Sequence, residues 1–157
     1  MPNPIPTSCT PHIMGANLDR CTPCEAGTFA LADASRCEAC SPGTVAARGE
    51  ATGDCASCDA GFAPNTDHSQ CVICGAGQRA IAGAEVCSPC PDGHVSPRGS
   101  SECEDCRARA GHIANADQSR CVACPTGEYA SANATKCIPC PSNGVAGKGE
   151  RSISCTT

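Results

Sequence analysis

Eighteen cysteines carry most of the chemistry open to this chain of 157 residues. Sixteen of them form eight CxxC knuckles: Cys21/Cys24, Cys37/Cys40, Cys55/Cys58, Cys71/Cys74, Cys87/Cys90, Cys103/Cys106, Cys121/Cys124 and Cys137/Cys140. Two lone cysteines, Cys9 and Cys155, bracket the series. Knuckles of this kind serve three chemistries. Two of them together can give four thiolates to a tetrahedral zinc ion. A single one, set at a helix start in a βαβ scaffold, can act as a redox dithiol. Alternatively, every sulfur can be committed to a structural disulfide.

The spacing favours disulfides. A zinc site consumes two knuckles, whereas the repeat described below holds three, so successive repeats would place zinc at different positions. Zinc would also leave Cys9 and Cys155 without a role. Redox catalysis does not suit eight equivalent copies in loops. A chain in which the second cysteine of each knuckle bonds the first of the next uses all 18 thiols. It pairs Cys9–Cys21, Cys24–Cys37, Cys40–Cys55, Cys58–Cys71, Cys74–Cys87, Cys90–Cys103, Cys106–Cys121, Cys124–Cys137 and Cys140–Cys155. An interlaced pattern, such as Cys55–Cys71 with Cys58–Cys74, stays open, because connectivity does not follow from sequence.

Other residue types offer weaker signals. Asn133-Ala-Thr135 is the one N-x-S/T sequon and is the candidate glycosylation site. Asn17-Leu-Asp19, Asn65-Thr-Asp67 and Asn115-Ala-Asp117 space oxygen ligands as a calcium loop would. No third carboxylate is nearby, so an Asx turn before the cysteine is favoured. Arg48, Arg98 and Lys148 each precede a glycine and are read as turn residues on a solvated edge. His12, His68, His94 and His112 follow no shared ligand spacing. No metal ligand, cofactor or catalytic set is assigned.

The elements that position these residues repeat. Cys21, Cys71 and Cys121 are 50 residues apart, as are Cys37, Cys87 and Cys137. The divisions that follow are a tail at 1–8, cysteine-rich repeats at 9–54, 55–102 and 103–155, and a tail at 156–157. Glycine stands three residues after the second cysteine of six knuckles, at Gly27, Gly43, Gly61, Gly77, Gly93 and Gly127. Gly111 and Gly144 come slightly later in the remaining two loops. Such a glycine predicts a tight turn with positive φ. Short β-prone stretches follow at Thr28-Phe29, Thr44-Val45, His94-Val95, His112-Ile113 and Tyr129. No apolar period of 3.6 residues runs for two turns, so helices are not expected.

Composition agrees with a stapled fold. Leu, Ile, Val and Phe together make only 17 of 157 residues, and Trp is absent. That is about half of the ~20% below which a chain struggles to form a core. Such a chain must be held by disulfides or metal. The net charge is −5 and the basic residues are scattered, which removes the electrostatic footprint of a nucleic-acid binder. No apolar run reaches the length of a transmembrane helix. Residues 1–8 do not read as a secretion signal. An extracellular location therefore implies a leader that is not in this sequence. No hydrophobic tail for a glycolipid anchor follows Cys155.

The segments CTPCEAGTFALADASRCEAC and CVACPTGEYASANATKCIPC resemble growth-factor-receptor, ephrin-receptor-like and TNF-receptor-like cysteine-rich modules. Tandem repeats of about 50 residues, rich in Ala, Gly, Thr and Ser, resemble the immobilisation-type surface antigens of ciliates and related protist surface proteins. The resemblance runs from Cys9 to Cys155. It implies a secreted or lipid-anchored coat protein or a fibril subunit. The expectation is a small disulfide-rich fold, mostly irregular with short antiparallel strands, forming an elongated rod of tandem repeats. The expected role is structural and non-enzymatic, at the cell surface or outside the cell, with self-association and attached glycans. The alternatives are a receptor-like ligand-binding ectodomain and a cytosolic zinc-binding CxxC array.

Overall fold

The computed structural model describes residues 12–14, 21–33, 35–49 and 54–141. Within them the chain is a succession of two-stranded hairpins. β1 (His12–Met14) pairs with β2 (Cys21–Pro23), β3 (Thr28–Ala30) with β4 (Cys37–Ala39), and β5 (Thr44–Val45) with β6 (Ala56–Ser57). β7 (Phe62–Pro64) pairs with β8 (Cys71–Ile73), and β9 (Gln78–Arg79) with β10 (Ser88–Pro89). β11 (His94–Val95) pairs with β12 (Glu104–Asp105), β13 (His112–Ala114) with β14 (Cys121–Ala123), and β15 (Glu128–Ala130) with β16 (Cys137–Pro139). The ladders are antiparallel, as in His112↔Ala123 and Tyr129↔Ile138. Strands start at Thr28, Thr44, His94 and His112, as the β-prone stretches read from the sequence do, and Tyr129 is the middle residue of β15.

From β3 onward each hairpin opens on a turn glycine. Gly27, Gly43, Gly61, Gly77, Gly93, Gly111 and Gly127 all have φ between 71° and 86°. Only glycine enters that region without strain. Gly111 arrives two residues late because a single 3-10 turn, Cys106–Ala108, intervenes. That turn is the one departure from the helix-free expectation among the described residues. It is capped by Asp105, whose carboxylate accepts from the Arg107 N–H at 2.9 Å.

Seven disulfides lock the hairpins: Cys24–Cys37, Cys40–Cys55, Cys58–Cys71, Cys74–Cys87, Cys90–Cys103, Cys106–Cys121 and Cys124–Cys137. Each joins the second cysteine of one knuckle to the first of the next, which is the sequential pattern. Cys21 and Cys140 are also disulfide-bonded. Their expected partners, Cys9 and Cys155, lie outside the described residues. A knuckle thus does three jobs at once. Its first sulfur closes the hairpin behind it. The N–H of its second cysteine extends that hairpin's ladder by bonding the turn glycine, as in Cys40 to Gly27 at 2.9 Å and Cys124 to Gly111 at 2.8 Å. The sulfur of that second cysteine then begins the next loop.

The chain falls into two compact units, one over Met1–Val72 and Ala82–Val86, the other over Ile73–Ile81 and Cys87–Thr157. In the first, Gly27 N–H donates to Ala46, Ala46 N–H to His68, and Gly49 N–H to Cys24, at 2.8 to 3.0 Å. In the second, Gly77 donates to Ser96, Ser96 to Gln118 and Gly99 to Cys74, over the same range of lengths. The two sets are displaced by 50 residues at every position. The sequence period is therefore a period of backbone hydrogen bonding.

The buried interior of both units is made of small residues. Cys24, Ala30, Ala46, Cys58 and Ala63 are buried in the first, and Cys74, Ala80, Cys90, Val95, Ser96, Cys106, Cys124 and Ala134 in the second. The larger side chains Phe29, Phe62 and Tyr129 are only half-buried. Ser96 occupies the place that Ala46 holds 50 residues earlier. Its hydroxyl donates to the Gln78 carbonyl at 2.8 Å, so no polar atom is orphaned there. Among the described residues no helix is long and apolar enough to cross a membrane.

Candidate functional site

Tight turns before the first cysteine of a knuckle shape the outer end of each hairpin. At 65–70 the Asn65 carbonyl Oδ1 accepts from the backbone N–H of Ser69 at 2.9 Å and Gln70 at 3.2 Å. At 115–120 Asn115 Oδ1 accepts from Arg120 N–H at 3.1 Å. Asp67 and Asp117 in turn accept from the N–H of Ser69 and Ser119. The oxygens that could have faced calcium are therefore engaged in Asx turns. Among the described residues no cluster of three metal-binding side chains occurs. Asn17 and Asp19 lie outside the described residues.

Sequence reasoning missed how general this turn is. Counted back from the cysteine, the pairs Asp33/Ser35, Asp67/Ser69, Asp117/Ser119 and Asn133/Thr135 hold the same two positions. In each pair the Asx oxygen Oδ1 takes a hydrogen bond from the residue two places on. The legible signal was Asx-x-Ser/Thr-x-Cys. Asn133-Ala-Thr135 is thus a turn of the repeat as well as a sequon. Thr135 Oγ1 and Ser131 Oγ both donate to Asn133 Oδ1 at 2.8 Å, and Asn133 is exposed.

These bonds tune the carboxylates. The Ser35, Ser69 and Ser119 hydroxyls, helped by backbone N–H groups, lower the pKa of Asp33, Asp67 and Asp117. The largest effect is on Asp105. Its hydrogen bonds from the Arg107 guanidinium and the Arg107 backbone lower its pKa to about 2. The folded chain then binds fewer protons than the unfolded chain between pH about 2 and the ordinary aspartate value of about 3.9. Asp105 therefore adds stability above that window and loses it as pH falls through it. Carboxyl NMR titration is expected to show Asp105 titrating last among the aspartates as pH is lowered, and Asp105→Asn is expected to flatten the acid limb of the stability curve.

Three of the four histidines face backbone carbonyls. His68 Nδ1 lies 2.9 Å from the Thr44 carbonyl, His94 Nδ1 3.1 Å from that of Asp92, and His112 Nδ1 2.9 Å from that of Ala110. A ring nitrogen facing a carbonyl must carry the proton, which leaves Nε2 as the acceptor in neutral His112. Of the basic residues before glycine, Arg48 pairs with Glu25 at 3.2 Å on the surface, and Gly49 and Gly99 have φ of 70° and 77°. Lys148 lies outside the described residues.

One concavity in the second unit gathers more chemistry than any of these positions. A groove of about 530 Å³ is lined by Arg107, Arg109, His112, Tyr129, Ile138 and several small residues. The hairpin on one side of it is longer than its counterpart one repeat earlier. The Cys58–Cys71 loop spans 13 residues and the Cys106–Cys121 loop spans 15, as the Cys40–Cys55 loop also does. The longer hairpin carries the 3-10 turn Cys106–Ala108, and Arg107 and Arg109 line the groove. Asp105 holds Arg107 through its Nε, at 2.9 and 3.0 Å. Glu104 holds one terminal nitrogen of Arg109 at 2.7 Å. The Ser131 hydroxyl oxygen accepts from the N–H of Thr135 and Lys136 within the turn.

No protein-family model matches the chain, and comparison with curated proteins finds no significant similarity.

Proposed function

We propose that the chain is a non-enzymatic structural protein of the cell surface or extracellular space, a coat antigen or fibril subunit. The observation that carries this reading is the series of seven disulfide-locked hairpins among the described residues, with an interior made mostly of Ala and Cys. Structural disulfides persist in oxidising compartments and are rare in the cytosol. A surface built on covalent staples keeps its shape without a large core and repeats the same face every 50 residues. That suits a coat or fibril, and agrees with the resemblance to immobilisation-type surface antigens. The cytosolic zinc reading loses its ligands, since the described cysteines are committed to sulfur–sulfur bonds.

Surface biotinylation of intact source cells, followed by non-reducing peptide mapping, tests the proposal. The expected result is a labelled, fully oxidised chain with a glycan on Asn133. An unlabelled chain recovered from the cytosol with free thiols would end it. The receptor-like alternative has one specific support, the groove beside the longer hairpin of the third repeat.

A further inference from the structure

We propose that the groove beside the 3-10 turn binds the acidic sugar residue of a glycan. This rests on the ligand-binding alternative above. The groove's volume of about 530 Å³ is of the size that takes small ligands, and one or two sugar rings would occupy it. A bare inorganic anion would leave most of it unfilled. Ala110, Gly111, Ala132 and Ala134 also line the groove, and their small side chains leave room for a ring to approach closely. Tyr129 is half-buried, so its ring offers a face and its hydroxyl a hydrogen-bonding group at the same place. A sugar ring presents the matching combination, an apolar face of C–H groups bordered by hydroxyls.

The two arginines favour an acidic ligand. Arg107 and Arg109 are the closest pair of basic residues in the whole chain, which otherwise scatters its cations and is acidic overall. Of the Arg107 guanidinium, Asp105 engages Nε, and Glu104 engages Arg109 through one terminal nitrogen. These contacts orient both guanidinia and leave their other N–H donors for a planar carboxylate, the group that arginine recognises best. Both arginines are about half-exposed, so a ligand reaches them without displacing buried contacts. His112 Nε2 adds an acceptor for a sugar hydroxyl. A peptide partner fits less well, because Tyr129 and Ile138 are the only large apolar side chains in the lining to seat an anchoring residue.

The test is an NMR titration of the oxidised full chain with a glucuronic-acid-containing disaccharide. Cellobiose and sodium succinate serve as the neutral-sugar and plain-carboxylate probes. Saturable shifts confined to 107–112 and 129–138 are expected, with affinity roughly tenfold above either control. Arg107→Gln with Arg109→Gln is expected to reduce uronate affinity to that of cellobiose. Tyr129→Ala is expected to weaken both sugars. If that variant disturbs its hairpin, the arginine pair still decides. Absence of groove shifts, succinate matching the uronate, or an unaffected arginine variant would each overturn the proposal. Equal binding of cellobiose would overturn the acidic specificity while leaving the ligand-binding reading standing.

Discussion

Full reduction of the native chain under non-denaturing conditions is expected to abolish its fold, and a chelator is expected to leave it intact. The cause lies in what the interior contains. Among the described residues the buried hydrophobics are Ala, Cys and a single Val, so burial offers little to replace lost covalent bonds. Closing a loop of about 15 residues is worth roughly 3 kcal/mol in the chain-entropy model. The seven described loops span 13 or 15 residues each. Their contributions do not simply add, yet loss of a few would match the whole net stability of an ordinary domain, about 5–15 kcal/mol. Collapse of amide dispersion in the NMR spectrum after phosphine treatment, with no change after EDTA, is the outcome to look for. A reduced chain that kept its dispersed spectrum would overthrow this account.

The order of reduction is also fixed by burial. In six of the seven bridges the second cysteine of the knuckle is buried, from 0% exposed at Cys106 to 7% at Cys90. In Cys40–Cys55 both partners are only half-buried. Among these seven, limited reductant followed by alkylation is expected to label Cys40 and Cys55 first.

Much of the hairpin is written locally, and much of its packing is not. A glycine three residues after a cysteine announces the turn because positive φ is a property of one residue and its neighbours. The β-prone pairs Thr44-Val45 and His94-Val95 become strands because the disulfide holds their partners in register. The shift at Gly111 was legible as an irregular spacing, but not as a 3-10 turn. The groove was not legible at all, since it needs Arg107 and Tyr129 to meet from hairpins 22 residues apart. His68 and Gln118 illustrate the same limit. Both adopt φ just above 50°, which their residue types do not call for. What holds them is tertiary: their carbonyls accept from Ala46 and Ser96 of an earlier hairpin, and the His68 and Gln118 side chains bond the backbone there too. A residue whose conformation is set by a neighbour some 20 positions away leaves little local trace.

That tertiary layer makes a sharp prediction about glycines that look equivalent in sequence. Gly43, Gly93 and Gly127 all sit three residues after a cysteine, with φ of 80°, 74° and 86°. Replacing any of them by alanine imposes left-handed strain of about 1–2 kcal/mol. The surroundings then separate them. A methyl group on Gly43 would collide with the carbonyl of Gly83, and one on Gly93 with the carbonyl of Asn133. Both obstacles are backbone at the outer end of the hairpin two loops further on, and the turn glycine is its seat. A methyl group on Gly127 would meet nothing within 4 Å. Overpacking against rigid backbone adds about 1–3 kcal/mol at the first two positions. Gly43→Ala and Gly93→Ala are therefore expected to lose about 2–5 kcal/mol, and Gly127→Ala only the strain of about 1–2 kcal/mol. Thermal unfolding with all disulfides intact reads the difference. Gly93→Ala should also raise the hydrogen-exchange rate of Ala134, whose N–H bonds Ser131 within the displaced turn at 2.8 Å. Equal loss at all three sites would mean that the glycines serve their turns alone and that the seating of one hairpin on another contributes nothing.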